Sequence, residues 1–114
     1  MEYMLFIATD TEPEADDGTA PTIEAWVDEG TRRGIRKQGD VLRPRSDATT
    51  IRIRRGELLI TDGPFTESKE WIAGFAILEC ADLDEAIEVA SRNPMAYEGR
   101  LELRPIHSMG GPDD

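Results

Sequence analysis

From Thr49 to Thr61 the order of apolar and charged residues admits one simple local geometry. If Arg55 and Gly56 form a two-residue turn, Arg54 faces Glu57, Ile53 faces Leu58, Arg52 faces Leu59 and Ile51 faces Ile60. Ile51, Ile53, Leu58 and Ile60 then share one apolar face. Arg52 and Arg54 point to the other side, where Arg54 and Glu57 can pair.

The remaining periodicities surround this hairpin with alternating strand and helix signals. Glu2 to Ala8 is a nearly continuous apolar run, as expected for a central strand covered on both faces. Asp10 to Ala20 carries five acidic residues with Pro13 and Gly18, which predicts a mobile acidic loop over 10–20. Ile23, Trp26, Val27 and Gly30 fall at helical spacing between Thr22 and Arg33, and Gly34 supplies a left-handed stop. Ile72 to Cys80 reads as a strand with Ile72, Ala76 and Leu78 on one face and Phe75 and Ile77 on the other. Asp82 and Glu85 resemble a capping box, and Leu83, Ala86, Ile87 and Ala90 continue the second helix until Asn93 and Pro94 close it. Arg100 to Ile106 alternates Leu101 and Leu103 against Glu102 and Arg104, and Pro105 places this last strand near an edge. A loose tail is expected after 107.

This order predicts an α+β fold of the ferredoxin-like split βαβ type, an antiparallel sheet with two helices on one face, carrying an additional β-hairpin. The 114 residues form one domain, 1–114, able to bury roughly 65% of the surface the unfolded chain exposes. Two helices cover only one face of the sheet. Apolar residues on the other face need cover, and a second copy of the chain is the simplest provider, so an isologous homodimer with stacked sheets is expected.

Charge and composition narrow the function classes. The net charge is −11, yet nine of the thirteen basic residues lie between Arg32 and Arg55 against only Asp40 and Asp47. That segment is either a solvated arginine face offsetting acidic neighbours or a surface that attracts anions. No basic helix, zinc spacing or interleaved aromatic pattern accompanies the arginines, so no nucleic acid partner is expected. No apolar run is long enough to cross a bilayer and no secretory signal is read at the amino terminus, so no membrane partner and a cytoplasmic location are expected. The lone Cys80 reads as a small apolar residue rather than a reactive thiol. With His107 the only histidine, neither a zinc site nor a serine triad is predicted, and no glycine-rich phosphate loop is present, so no metal and no cofactor are assigned.

The run Asp62, Gly63, Pro64, Phe65, Thr66, Glu67, Ser68, Lys69, Glu70 joins two of the expected strands. It resembles the signature of the DGPF, or YCII-related, family of small bacterial proteins, departing from the usual form at Thr66 and Ser68. The resemblance extends over nearly the whole chain, including Tyr3 to Ile7, Trp26, Thr49 to Arg54, Asp82 to Ala90, and Glu102, Arg104 and Pro105. It implies a dimeric α+β barrel of ferredoxin-like subunits. It also implies companionship with extracytoplasmic-function sigma factors, by gene proximity or fusion. Some enzymes of the wider superfamily look like cofactor-free lyases or dehydrochlorinases that pair aspartate with a histidine in the first helix, and Thr22 to Arg33 contains no histidine.

Two readings of the signature stand side by side. Asp62, Gly63, Pro64 and Phe65 can serve only to shape the turn, by accepting backbone N–H groups, taking positive φ, fixing direction and anchoring the segment. Alternatively, the rigid turn holds Asp62 in a cleft as a base or acceptor, with Arg52, Arg54 or Lys69 supplying positive charge for an anionic ligand. The leading functional expectation is a homodimeric accessory or sensing module that binds a small anionic molecule. The alternatives are a cofactor-independent lyase or isomerase in which Asp62 is the catalytic candidate, and a pure interaction module. Whether the chain is an enzyme is left open by the residues.

Overall fold

The computed structural model describes residues 1–14, 18–63 and 72–107. The apolar run at the start forms β1 (Glu2–Ala8), with Tyr3 and Leu5 buried. Then come α1 (Ile23–Arg32), β2 (Arg36–Val41), β3 (Thr49–Arg54), β4 (Glu57–Asp62), β5 (Ile72–Glu79), α2 (Leu83–Ala90), the short α3 (Met95–Glu98) and β6 (Arg100–Pro105). A 3-10 turn, Arg45–Asp47, precedes β3.

Four strands make an antiparallel sheet in the order β2-β5-β1-β6, so β1 is central and the proline-bearing β6 lies at an edge. The chain is therefore α+β, with the helices over one face. The core lies between sheet and helices: Tyr3, Leu5, Ala76 and Leu78 pack with Trp26 of α1 and Ala86, Val89 and Ala90 of α2. The Trp26 Nε1–H donates to the Val89 carbonyl at 2.8 Å, tying the two helices together.

Local chemistry sets the helix ends. The Thr22 hydroxyl accepts from the Ala25 N–H at the start of α1. At α2 the Asp82 carboxylate accepts from the Glu85 N–H, and the Glu85 carboxylate accepts from the Ala81 N–H, a reciprocal cap. α2 is rotated from the sequence expectation: Val89 is buried and Leu83 and Ile87 are about half exposed. Small Ala86 and Ala90 let the helix sit close to the sheet, and the Trp26 bond fixes Val89 inward.

The strands differ from the reading of the residues in two respects. Arg36–Val41 is a sheet strand that the sequence analysis did not assign, because its residues alternate in no apolar pattern; ladder bonds to β5 hold it. The hairpin β3–β4 is a separate two-stranded sheet rather than part of the main one. Its register matches the expectation residue for residue, and Arg55 (φ 55°) and Gly56 (φ 76°) make the left-handed pair that a two-residue turn of this hand requires. Arg54 and Glu57 face each other without forming an ion pair; the Arg54 guanidinium donates instead to the Ile53 carbonyl at 2.9 Å.

The hairpin is an arm. Its strands pack on each other and make no more than glancing contact with any other described element. Ile51, Ile53, Leu58 and Ile60 are 66, 64, 59 and 63% exposed. The second face of the main sheet is only half covered as well, with Met4 and Phe6 of β1 opposite Ile77 and Phe75 of β5. Part of the acidic loop expected over 10–20, residues 15–17, lies outside the described residues, as does the tail from 108.

Candidate functional site

Asp62 closes β4 opposite Thr49, and the backbone beyond it is held at two points. The Gly63 N–H donates to the Ala48 carbonyl at 2.7 Å, and the Thr50 hydroxyl donates to the Gly63 carbonyl at 2.7 Å. Gly63 takes φ 102°, a conformation costly for any residue with a Cβ. These bonds fix Gly63 at the base of the arm, next to the exposed Asp62 carboxylate. Among the described residues that carboxylate has no hydrogen-bond or ion-pair partner. Pro64, Phe65, Glu67, Lys69 and Glu70 lie outside the described residues.

Strand alternation separates the candidates within one chain. Thr50, Arg52 and Arg54 share a ribbon face with Thr61, Leu59 and Glu57; Asp62 falls on the other face, beside Ile51 and Ile60. Arg52 and Arg54 are exposed and form no ion pair with a described residue. Other arginines are engaged: Arg33 with Glu29 and Glu88, Arg92 with Glu29 and Glu88, and Arg43 with Asp47.

His107 is distant from Asp62. Ile106 donates its N–H to the Glu2 carbonyl, which puts His107 beyond the first residue of β1. The arm root follows Leu42, whose N–H donates to the Ala73 carbonyl near the other end of the sheet. The two ends are separated by the length of β1, about 20 Å at ~3.3 Å per residue. An Asp62–His107 pair within one chain is therefore not formed.

An open depression borders the acidic segment that the sequence analysis read only as a mobile loop. Thr9, Asp10, Pro13, Glu14, Met95 and Glu98 line this space of about 500 Å³ at the end of β1. Asp10 there accepts from the Glu12 N–H and lies 4.0 Å from Arg100. Its carboxylates suit a cationic rather than an anionic visitor, and among the described residues no group of three histidine, cysteine or acidic side chains is placed to hold a metal ion. The acidic composition of 10–20 was the available signal; the pairing with α3 required the fold.

Cys80 is buried, and burial pushes its thiol above the ordinary value, which keeps it protonated and unreactive. The Met1 ammonium donates to the Cys80 carbonyl at 3.0 Å and pairs with Glu79 at 2.7 Å; the Glu79 hydrogen bond raises its pKa. No helix among the described residues is long and apolar enough to cross a membrane.

Comparison with known proteins finds related sequences. An uncharacterised protein of Rhizobium meliloti (strain 1021) is 42% identical over 74 residues, covering 61% of this chain and 60% of that protein's length. The sequence profile of the YCII-related domain matches residues 1–110. The signature at the arm root, the α+β fold and this match over nearly the full length agree: the chain belongs to the YCII-related domain family.

Proposed function

We propose that the chain is one subunit of a homodimer that binds a small anionic molecule at its arm and acts as an accessory or sensing module. The observation that carries this reading is the cationic face of the arm. Arg52 and Arg54 stand two residues apart on one side of the ribbon, exposed and without a carboxylate partner among the described residues, on a chain of net charge −11. Two guanidiniums about 7 Å apart along a strand suit the carboxylates or phosphates of one small ligand. The half-exposed Met4, Phe6, Phe75 and Ile77 support a partner copy facing the open side of the sheet, the arrangement of a dimeric α+β barrel. The family resemblance adds a setting, as a companion of extracytoplasmic-function sigma factors in the cytoplasm.

The lyase reading has less behind it, because Asp62 has no histidine near it and the arginines lie on the opposite ribbon face. The test is a thermal-shift screen of small carboxylates and phosphate esters on the wild type, Arg52→Ala and Arg54→Ala. A ligand that stabilises the wild type and neither variant is the expected result. Equal stabilisation of all three places binding elsewhere and ends the proposal.

A further inference from the structure

We propose that the β3–β4 arm is an exchanged clasp: it crosses to a second copy of the chain and lays its Ile51, Ile53, Leu58 and Ile60 face against the apolar surface that the partner's sheet leaves open. The inference rests on the homodimer reading above and adds which element makes the contact.

The first observation is that the arm lacks support from the described residues of its own chain. A two-stranded hairpin is marginal in water unless its apolar face is packed, and this one contacts no other described element appreciably. Four side chains at about 60% exposure present roughly 450 Å² of continuous apolar surface, as much as the largest patch on a typical monomer and in one straight stripe. The second is that a matching surface exists on the same molecule. Phe6 and Phe75 sit opposite one another, as do Met4 and Ile77, partly buried in the middle of the sheet face turned away from the helices. Six-residue strands extend the arm about 20 Å, and four strands at ~4.8 Å make a sheet of nearly that width.

A surface and its complement on one chain, which that chain does not join, are what a two-fold exchange requires. Two arms on two such faces would bury about 1,800 Å², within the ~1,200–2,000 Å² of stable pairs.

The charge of the arm eases the approach of a second copy. Two bodies of net charge −11 repel, and the segment from Arg32 to Arg55 is the one strongly basic stretch. Laid on its apolar side, the arm keeps Arg52 and Arg54 on its outer face, above a sheet face that carries Glu2, Glu79, Asp40 and Glu102 beside Arg104, which lowers the repulsion between the two protomers. The exchange also moves Asp62, which shares the apolar ribbon face, to the seam between subunits.

The experiment replaces Ile53 with a benzophenone side chain and irradiates a mixture of unlabelled and nitrogen-15-labelled protein. Cross-linked peptides of mixed isotope composition that contain Met4–Phe6 or Phe75–Ile77 are the expected product. In parallel, Ile53→Lys and Leu58→Lys should each weaken dimerisation at least about tenfold in Kd by light scattering, with the far-ultraviolet dichroism of the body unchanged. Cross-links confined to one isotope show the arm folded on its own chain and overturn the proposal. A dimer that survives both lysine variants and gives no cross-link to the sheet overturns the clasp while leaving the homodimer standing. A monomer at every concentration overturns both readings, and the ligand screen is decided independently of all three outcomes.

Discussion

Replacing Trp26 by Phe removes the one hydrogen bond that joins α1 to α2 through the core. The indole is 5% exposed, and its N–H reaches the Val89 carbonyl at 2.8 Å. Phe keeps an aromatic ring in place but leaves that carbonyl with only the Arg92 N–H, at 3.2 Å. A buried acceptor that loses its better donor costs about 1 kcal/mol, the low end of the usual range because one bond remains. The missing part of the larger ring adds about 1–2 kcal/mol of lost apolar burial and packing. The sum, about 2–3 kcal/mol, corresponds to a fall in Tm of roughly 10–15 °C for a chain of this size. Urea unfolding followed by far-ultraviolet dichroism at fixed protein concentration measures it, with the slope against urea unchanged. A loss below about 0.5 kcal/mol would refute the argument, because it would mean the indole bears no load between the helices.

Gly39→Ala should cost about 1–3 kcal/mol, since a Cβ there would stand 2.7 Å from the Phe75 carbonyl oxygen and 3.1 Å from the Ala76 Cα across the ladder; thermal melts of the variant check it. Asp82→Ala removes the acceptor for the Glu85 N–H and should cost about 1 kcal/mol, read by the same melts. Stability should fall as the solution is made alkaline. The Met1 ammonium and the Cys80 thiol both hold their protons more tightly in the native state, the first through its hydrogen bond with Glu79 and the second through burial. Their contribution is complete below the ordinary values of 8.0 and 9.0 and is lost as pH climbs through the higher native values, so Tm should drop across that window. A Tm that rises there would contradict the sign.

The arm was legible because a two-residue turn at Arg55 and Gly56 sets the parity of every residue on both strands. The same parity also separates Asp62 from Arg52: Leu59 faces Arg52, and Asp62, three residues further on, must point the other way. Proximity in sequence nevertheless suggested a common cleft. β2 left no trace in the pattern, since Arg36, Lys37, Gln38, Gly39 and Asp40 are held by backbone pairing with β5 rather than by side-chain burial. The face of α2 was misjudged at Ile87 because helical spacing allows several apolar stripes, and the choice among them is made by Trp26 on another element. Asn93, expected only to end the helix, is fully buried and accepts from the Met95 N–H to start α3, a role that depends on packing three-dimensional neighbours around it.

The central claim is that the arm finds its cover on a second copy of the chain. Amide hydrogen exchange at Arg52, Arg54, Glu57 and Leu59, whose N–H groups belong to the hydrogen-bonded pairs of the hairpin, measured at dilute and concentrated protein, addresses it directly. Protection that grows with concentration at these amides is the predicted result. Fast exchange at both concentrations, or slow exchange independent of concentration, would contradict it.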